Sequence, residues 1–137
     1  MTGSLRLFFI CLGLLSFVGD AFAQANASCG HEMTLRLDYI FSGTDSTADI
    51  SLDEMSCFDG WAGRRHNMDS VALRGNGQIC MRDNRSGEVL YLQSFSTLFQ
   101  EWQATEEATR VRRSFENVFL LPMPDVPVTV RVELYGF

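Results

Sequence analysis

A chain of 137 residues with a formal net charge of −6, whose 11 basic residues are all arginine, has room for one domain and repels phosphate backbones, so nucleic acid is not expected as a partner. Of the four cysteines, Cys11 lies in the N-terminal apolar run, and the other three are too few to frame a disulfide-built mini-domain, so the core must come mainly from apolar burial.

The first residues have the pattern of an export signal. Arg6 supplies a positive charge, Leu7 to Val18 is almost free of polar side chains, and Ala21-Phe22-Ala23 is a small-aromatic-small cleavage site. The apolar run falls short of the ~20 residues a membrane-spanning helix needs. Cleavage after Ala23 makes Gln24 the new N-terminus and leaves no membrane span, so residues 1–23 predict a periplasmic, cell-surface or secreted protein. Three cysteines remain: Cys29, Cys57 and Cys80. Two of the three can form a disulfide with one thiol left over, and spacing does not choose among the pairings.

Residues 24–32 are polar and are expected to form a flexible leader. From Met33 to Phe41 the chain alternates, with Met33, Leu35, Leu37, Tyr39 and Phe41 on one face, the period of a half-buried strand. A turn cluster, Ser42 to Thr47, leads to a second strand from Ala48 to Met55. Ser56 to Asn67 is irregular, with two glycines and the aromatics Phe58 and Trp61, and suggests an ordered loop. Asn76-Gly77 predicts a type I′ hairpin between Val71–Arg74 and Gln78–Arg82, because both central positions of that turn need positive φ. Another turn at Asp83–Gly87 leads to a strand over Glu88–Phe95.

The pattern then becomes helical. Thr97 and Gln100 can form a capping box, Leu98, Phe99 and Trp102 share a helical face, and Glu106 and Glu107 precede Arg110, Arg112 and Arg113 in the order the helix dipole favours. One helix or two short ones are expected within 97–113. Glu116–Leu121 is a strand ended by Pro122 and Pro124, and Val128–Tyr135 alternates as a last strand. With the chain ending at Phe137, that strand would lack a return partner, so residues 33–137 are expected to be C-terminally incomplete. Together the elements predict a mainly β domain, an antiparallel β-sandwich with one short helical excursion.

Catalytic patterns are missing. His31-Glu32 begins a zinc-peptidase motif, but Met33-Thr34-Leu35 follows and the second histidine is absent. Cys29, His31, Cys57 and Cys80 are of the right type for structural zinc but contain no C-x-x-C pair, so the ordinary disulfide-plus-thiol reading is preferred and no metal or cofactor is expected. His66 beside Asp59 or Asp69 reads as a surface histidine rather than a base. Asp53-Glu54 and Glu106-Glu107 are adjacent in sequence: the first pair, in a strand, would point to opposite faces, and the second, in a helix, suits a solvated first turn. Trp61, Arg64, Arg65 and His66 form the one binding-like group: a flat aromatic with guanidinium forks that could take a peptide or a glycan. The same residues also suit a plug at the end of the sandwich, with Trp61 inserted and the arginines covering it.

Five segments carry a family resemblance: Leu35–Gly43, Trp61–Arg65, Gly75–Ile79, Ser94–Trp102 with Thr105–Ala108, and Ser114–Pro122. In this order they resemble the N-terminal domain of the bacterial IgA-specific metallo-endopeptidases, metallopeptidase family sixty-four, over residues 33–137. The resemblance implies a non-catalytic accessory domain that supports a zinc peptidase domain or contacts protein substrate. In that family the His-Glu-x-x-His site lies in the peptidase domain, and no position here matches a zinc ligand or a catalytic residue, so this chain alone is not expected to be an enzyme. The alternative is a stand-alone exported module that binds glycan or protein through the Trp61 loop.

Overall fold

The computed structural model describes residues 32–72 and 74–135. The signal segment 1–23, most of the leader, Cys29, His31 and the last two residues lie outside them.

Six strands form two antiparallel three-stranded sheets. The first holds β1 (Met33–Gly43), β2 (Ala48–Asp59) and β5 (Arg113–Pro122), in the order β2-β1-β5. The second holds β3 (Gly77–Asp83), β4 (Val89–Phe95) and β6 (Val128–Leu134), in the order β4-β3-β6. A six-residue helix, α1 (Leu98–Gln103), and a 3-10 turn (Glu106–Thr109) connect β4 to β5.

Alternation puts Leu35, Leu37 and Phe41 of β1 and Phe119 and Leu121 of β5 on one face, and Ile79 and Met81 of β3 with Tyr91 of β4 on the face opposite. These side chains form a single core, and Trp61, Phe99, Trp102 and Ala108 extend it. Phe95 and Phe119 join the two sheets edge-to-face, with centroids 4.7 Å apart. The mainly β sandwich with a short helical excursion is therefore the fold that the periodicity predicts.

Four details differ from expectation. β2 runs on to Asp59, so Ser56–Asp59 is strand rather than loop. Residues 71, 72 and 74–76 form no strand, and β3 pairs instead with β4 and β6. The positive φ angles lie at Gly60, Asn67 and Gly87, so Asn76-Gly77 is not a type I′ turn. Leu98 is 69% exposed: a helix this short buries one stripe, and Phe99 and Trp102 occupy it. β6 stands at the end of its sheet, in the order β4-β3-β6. It lies against β3 from Asp83↔Val128 to Gly77↔Leu134.

The two faces of β2 are unlike those of its neighbour. Ile50, Leu52 and Met55 stand opposite Phe41, Tyr39 and Leu37, on the core-facing side of the sheet. Leu37 is 3% exposed, but Leu52 and Met55 are 51% and 53% exposed. The second sheet stops short of β2. Asp53 is an extra residue in this strand, because Asp38 pairs with Glu54 and Tyr39 with Leu52, the arrangement of a β-bulge.

Candidate functional site

The loop that follows β2 holds the four residues singled out in the sequence. Gly60, at φ +89°, turns the chain off the strand in a conformation that favours glycine. Its N–H donates to the Glu32 carbonyl at 2.7 Å, and its own carbonyl accepts from the Thr34 hydroxyl. Trp61 then enters the core, 9% exposed, with its ring edge-on to Tyr91 at 5.8 Å. The indole Nε1 donates to the Arg64 carbonyl at 3.1 Å. A Cβ on Gly63 would stand 2.1 Å from this indole, so the ring needs a bare backbone there.

Arg64 holds the loop on the sheet. Its guanidinium donates to the carbonyls of Asn67 (2.9 Å), Met68 (3.2 Å), Ser70 and Leu92. The guanidinium carbon also stands 5.1 Å from the centre of the Tyr91 ring, a cation–π contact. Because the Leu92 N–H donates to the Met68 carbonyl at 2.7 Å, the loop covers part of the outer edge of β4. Arg65 turns the other way. Its Nε donates to Glu32 Oε1 at 3.0 Å and its Nη2 to the Trp61 carbonyl at 2.6 Å. The hydrogen bond from Arg65 holds the Glu32 carboxyl below the usual carboxylate range, and Glu32 in turn raises the pKa of Arg65. His66 is exposed and has no hydrogen bond or ion pair with Asp59 or Asp69 among the described residues. The structure thus binds Trp61, Arg64 and Arg65 to one another and leaves His66 aside.

Beside this loop lies an open groove of about 600 Å³. Its walls include Phe58, Trp61, Tyr91 and Leu120, and Thr34, Asp59 and Gln93 are the polar groups along it. Phe58 and Leu120 are about half exposed. Sequence reasoning did not find Leu120, Tyr91 or Gln93 here, because they come from two other strands and no local pattern links them to the loop.

Cys57 is exposed on β2, Cys80 is buried in β3, and both are free; any pairing with Cys29 falls outside the described residues. Among the described residues no three His, Cys, Asp or Glu side chains converge on a position that could hold a metal ion. No helix among them is long and apolar enough to cross a membrane.

The model of a protein family described as Peptidase M64 N-terminus matches residues 27–136. No curated protein matches the chain.

Proposed function

The chain belongs to the Peptidase M64 N-terminus family, and from that premise we propose that it serves as a non-catalytic accessory domain of an exported, IgA-peptidase-like zinc peptidase. Its role in this reading is to support the peptidase domain or to contact protein substrate. Residues 1–23 direct export, to the periplasm, the cell surface or the medium, and zinc belongs to the peptidase domain. The observation that carries the reading is the extent of the family match, which spans all six strands and both helical turns.

The test is a protease assay with and without zinc, using this chain alone, a family peptidase domain alone, and the two together. The chain alone is expected to cleave nothing, and its addition is expected to lower the KM or raise the thermal midpoint of the peptidase. Zinc-dependent cleavage by the chain alone would overturn the reading.

The groove beside Trp61 favours a second reading, a stand-alone module that binds glycan or protein. Phe58→Ala is the variant to use, since Phe58 lines the groove from an exposed position. Glycan-array binding that disappears in this variant, while the fold persists, would promote the second reading over the first.

A further inference from the structure

The outer edge of β2 has no strand beside it among the described residues. β2 is the longest strand, 12 residues, and lies at the end of the order β2-β1-β5. The main-chain groups that point away from β1 therefore form a row of donors and acceptors open to another strand. The side chains along this row are sorted by face. Ile50, Leu52, Met55 and Cys57 pair with the core-facing residues Phe41, Tyr39, Leu37 and Leu35, whereas Asp49, Ser51, Glu54 and Ser56 pair with Ser42, Ile40, Asp38 and Arg36 on the other side. Between Asp49 and Cys57 one face of the edge is apolar and the other is polar, with Asp49 and Glu54 as its carboxylates; Phe58 and Asp59 reverse the pattern at the end of the strand.

The charge is only partly compensated. β2 contains Asp49, Asp53, Glu54 and Asp59 and no basic residue. Arg112 pairs with Asp49 and Arg36 is within electrostatic reach of Glu54, while Asp53, Glu54 and Asp59 have no ion pair among the described residues. A second copy of this chain fits poorly, because two such edges set side by side repel each other and each copy has a net charge of −6. The leader is also a poor match: residues 24–31, Gln-Ala-Asn-Ala-Ser-Cys-Gly-His, contain no large apolar side chain to set beside Leu52 and Met55. The Asp53 bulge and the acidic row, which discourage pairing between copies, complement a strand of opposite charge.

We propose that the β2 edge receives an extended polypeptide segment that alternates apolar and basic side chains, the apolar ones beside Leu52, Met55 and Cys57 and the basic ones beside Glu54. The segment would add a strand to the β2-β1-β5 sheet. This partner rests on the reading of the domain as one that contacts protein, and it names the chemistry of what is contacted.

The test is amide hydrogen exchange on the full chain, with and without a synthetic peptide of about eight residues alternating Val and Lys, a length typical of a paired strand. A Val–Glu peptide serves as the control. The Val–Lys peptide is expected to protect amides within Ala48–Asp59, and the Val–Glu peptide to bind at least about tenfold more weakly. Raised salt should reduce the difference, since these carboxylates face solvent. In the double variant Asp53→Arg, Glu54→Arg the preference should invert, and both positions are exposed, so the fold should persist. Equal binding of the two peptides, protection confined to another segment, or no binding would overturn the proposal. Concentration-dependent dimerisation that protects β2 would also overturn it, in favour of a second copy. If the Val–Lys peptide binds β2 but the chain has no effect on the peptidase, the accessory-domain reading fails and this proposal stands.

Discussion

Arg64 and Arg65 are neighbours in sequence and unlike in consequence. Arg64 donates to four carbonyls, and its bonds to Met68 and Leu92 are partly buried; without it the Met68 carbonyl keeps the Leu92 N–H, but the Leu92 carbonyl would lose its partner in a place that water reaches poorly. A buried polar group left unsatisfied costs about 1–3 kcal/mol. Arg64→Ala should therefore lower unfolding stability by about 1–3 kcal/mol in urea titration and speed exchange of the Leu92 amide. Arg65 and its partner Glu32 are both more than half exposed, and solvent weakens such pairs, so the ion pair should contribute little. In Arg65→Ala the urea midpoint should move less than in Arg64→Ala, through the part-buried bond to the Trp61 carbonyl. The pair should still have a pH signature. Because Arg65 depresses the Glu32 pKa, the contribution of the pair is present above the unfolded-state pKa and is lost as pH falls through the lower folded-state value. Any acid-side loss of stability due to this pair should be missing from Arg65→Ala. This division between the arginines was only partly legible in the sequence. Trp61, Arg64 and Arg65 stood out by residue type, but Glu32 and Leu92, which decide their roles, lie 33 and 28 residues away.

At the scale of the elements, what could be read depended on how far each signal reaches. The alternation in β1 and β6 is a property of the strand itself and placed them well, and the turn at Asp83–Gly87 placed β4. The N-cap of α1 is also local: Gln100 N–H donates to the Thr97 hydroxyl at 3.1 Å. The other half of the predicted capping box went elsewhere, because the Gln100 side chain donates to the carbonyls of Asn76 and Tyr135 at 3.0 and 3.1 Å and so ties the helix to the ends of β3 and β6. Asn76-Gly77 misled for a related reason. Gly77 lies in the middle strand of its sheet, where a Cβ would approach the Glu133 carbonyl to 2.5 Å and the Phe95 ring to 2.7 Å. Its glycine is required by the two strands that flank it and not by a turn, a requirement that pairing alone reveals. Two substitutions separate these effects. Thr97→Ala should cost about 1 kcal/mol, the usual worth of an N-cap, and Gly77→Ala about 1–3 kcal/mol, the range for forcing extra volume into a packed site. In exchange measurements the first should loosen the α1 amides and the second the β3–β4 and β3–β6 ladders.

For the molecule as a whole, the consequence of greatest reach is that the two sheets are not matched in coverage. Three strands face three strands, but the core is centred on β1, β5 and β3, and β2 extends beyond it with Leu52 and Met55 half in solvent. Periodicity could not reveal this, because β2 contains apolar residues at core-facing positions as β1 does, and the missing cover is a property of the opposite sheet. The distinction can be measured. Burial of a Leu or Met side chain is worth about 1.5–3 kcal/mol relative to exposure, and truncation in a packed core costs about 2–5 kcal/mol. Leu37→Ala, at 3% exposure, should fall in the latter range. Leu52→Ser and Met55→Ser, on the adjacent strand and the same face of the sheet with Met55 directly opposite Leu37, should each cost about 1 kcal/mol, since only about half of each side chain leaves water when the chain folds. The serine variants should also bind less of a dye that reports exposed apolar surface, while Leu37→Ala should not. Large losses at Leu52 and Met55 would mean that another part of the chain already covers β2, and the edge would then not be open to a partner strand.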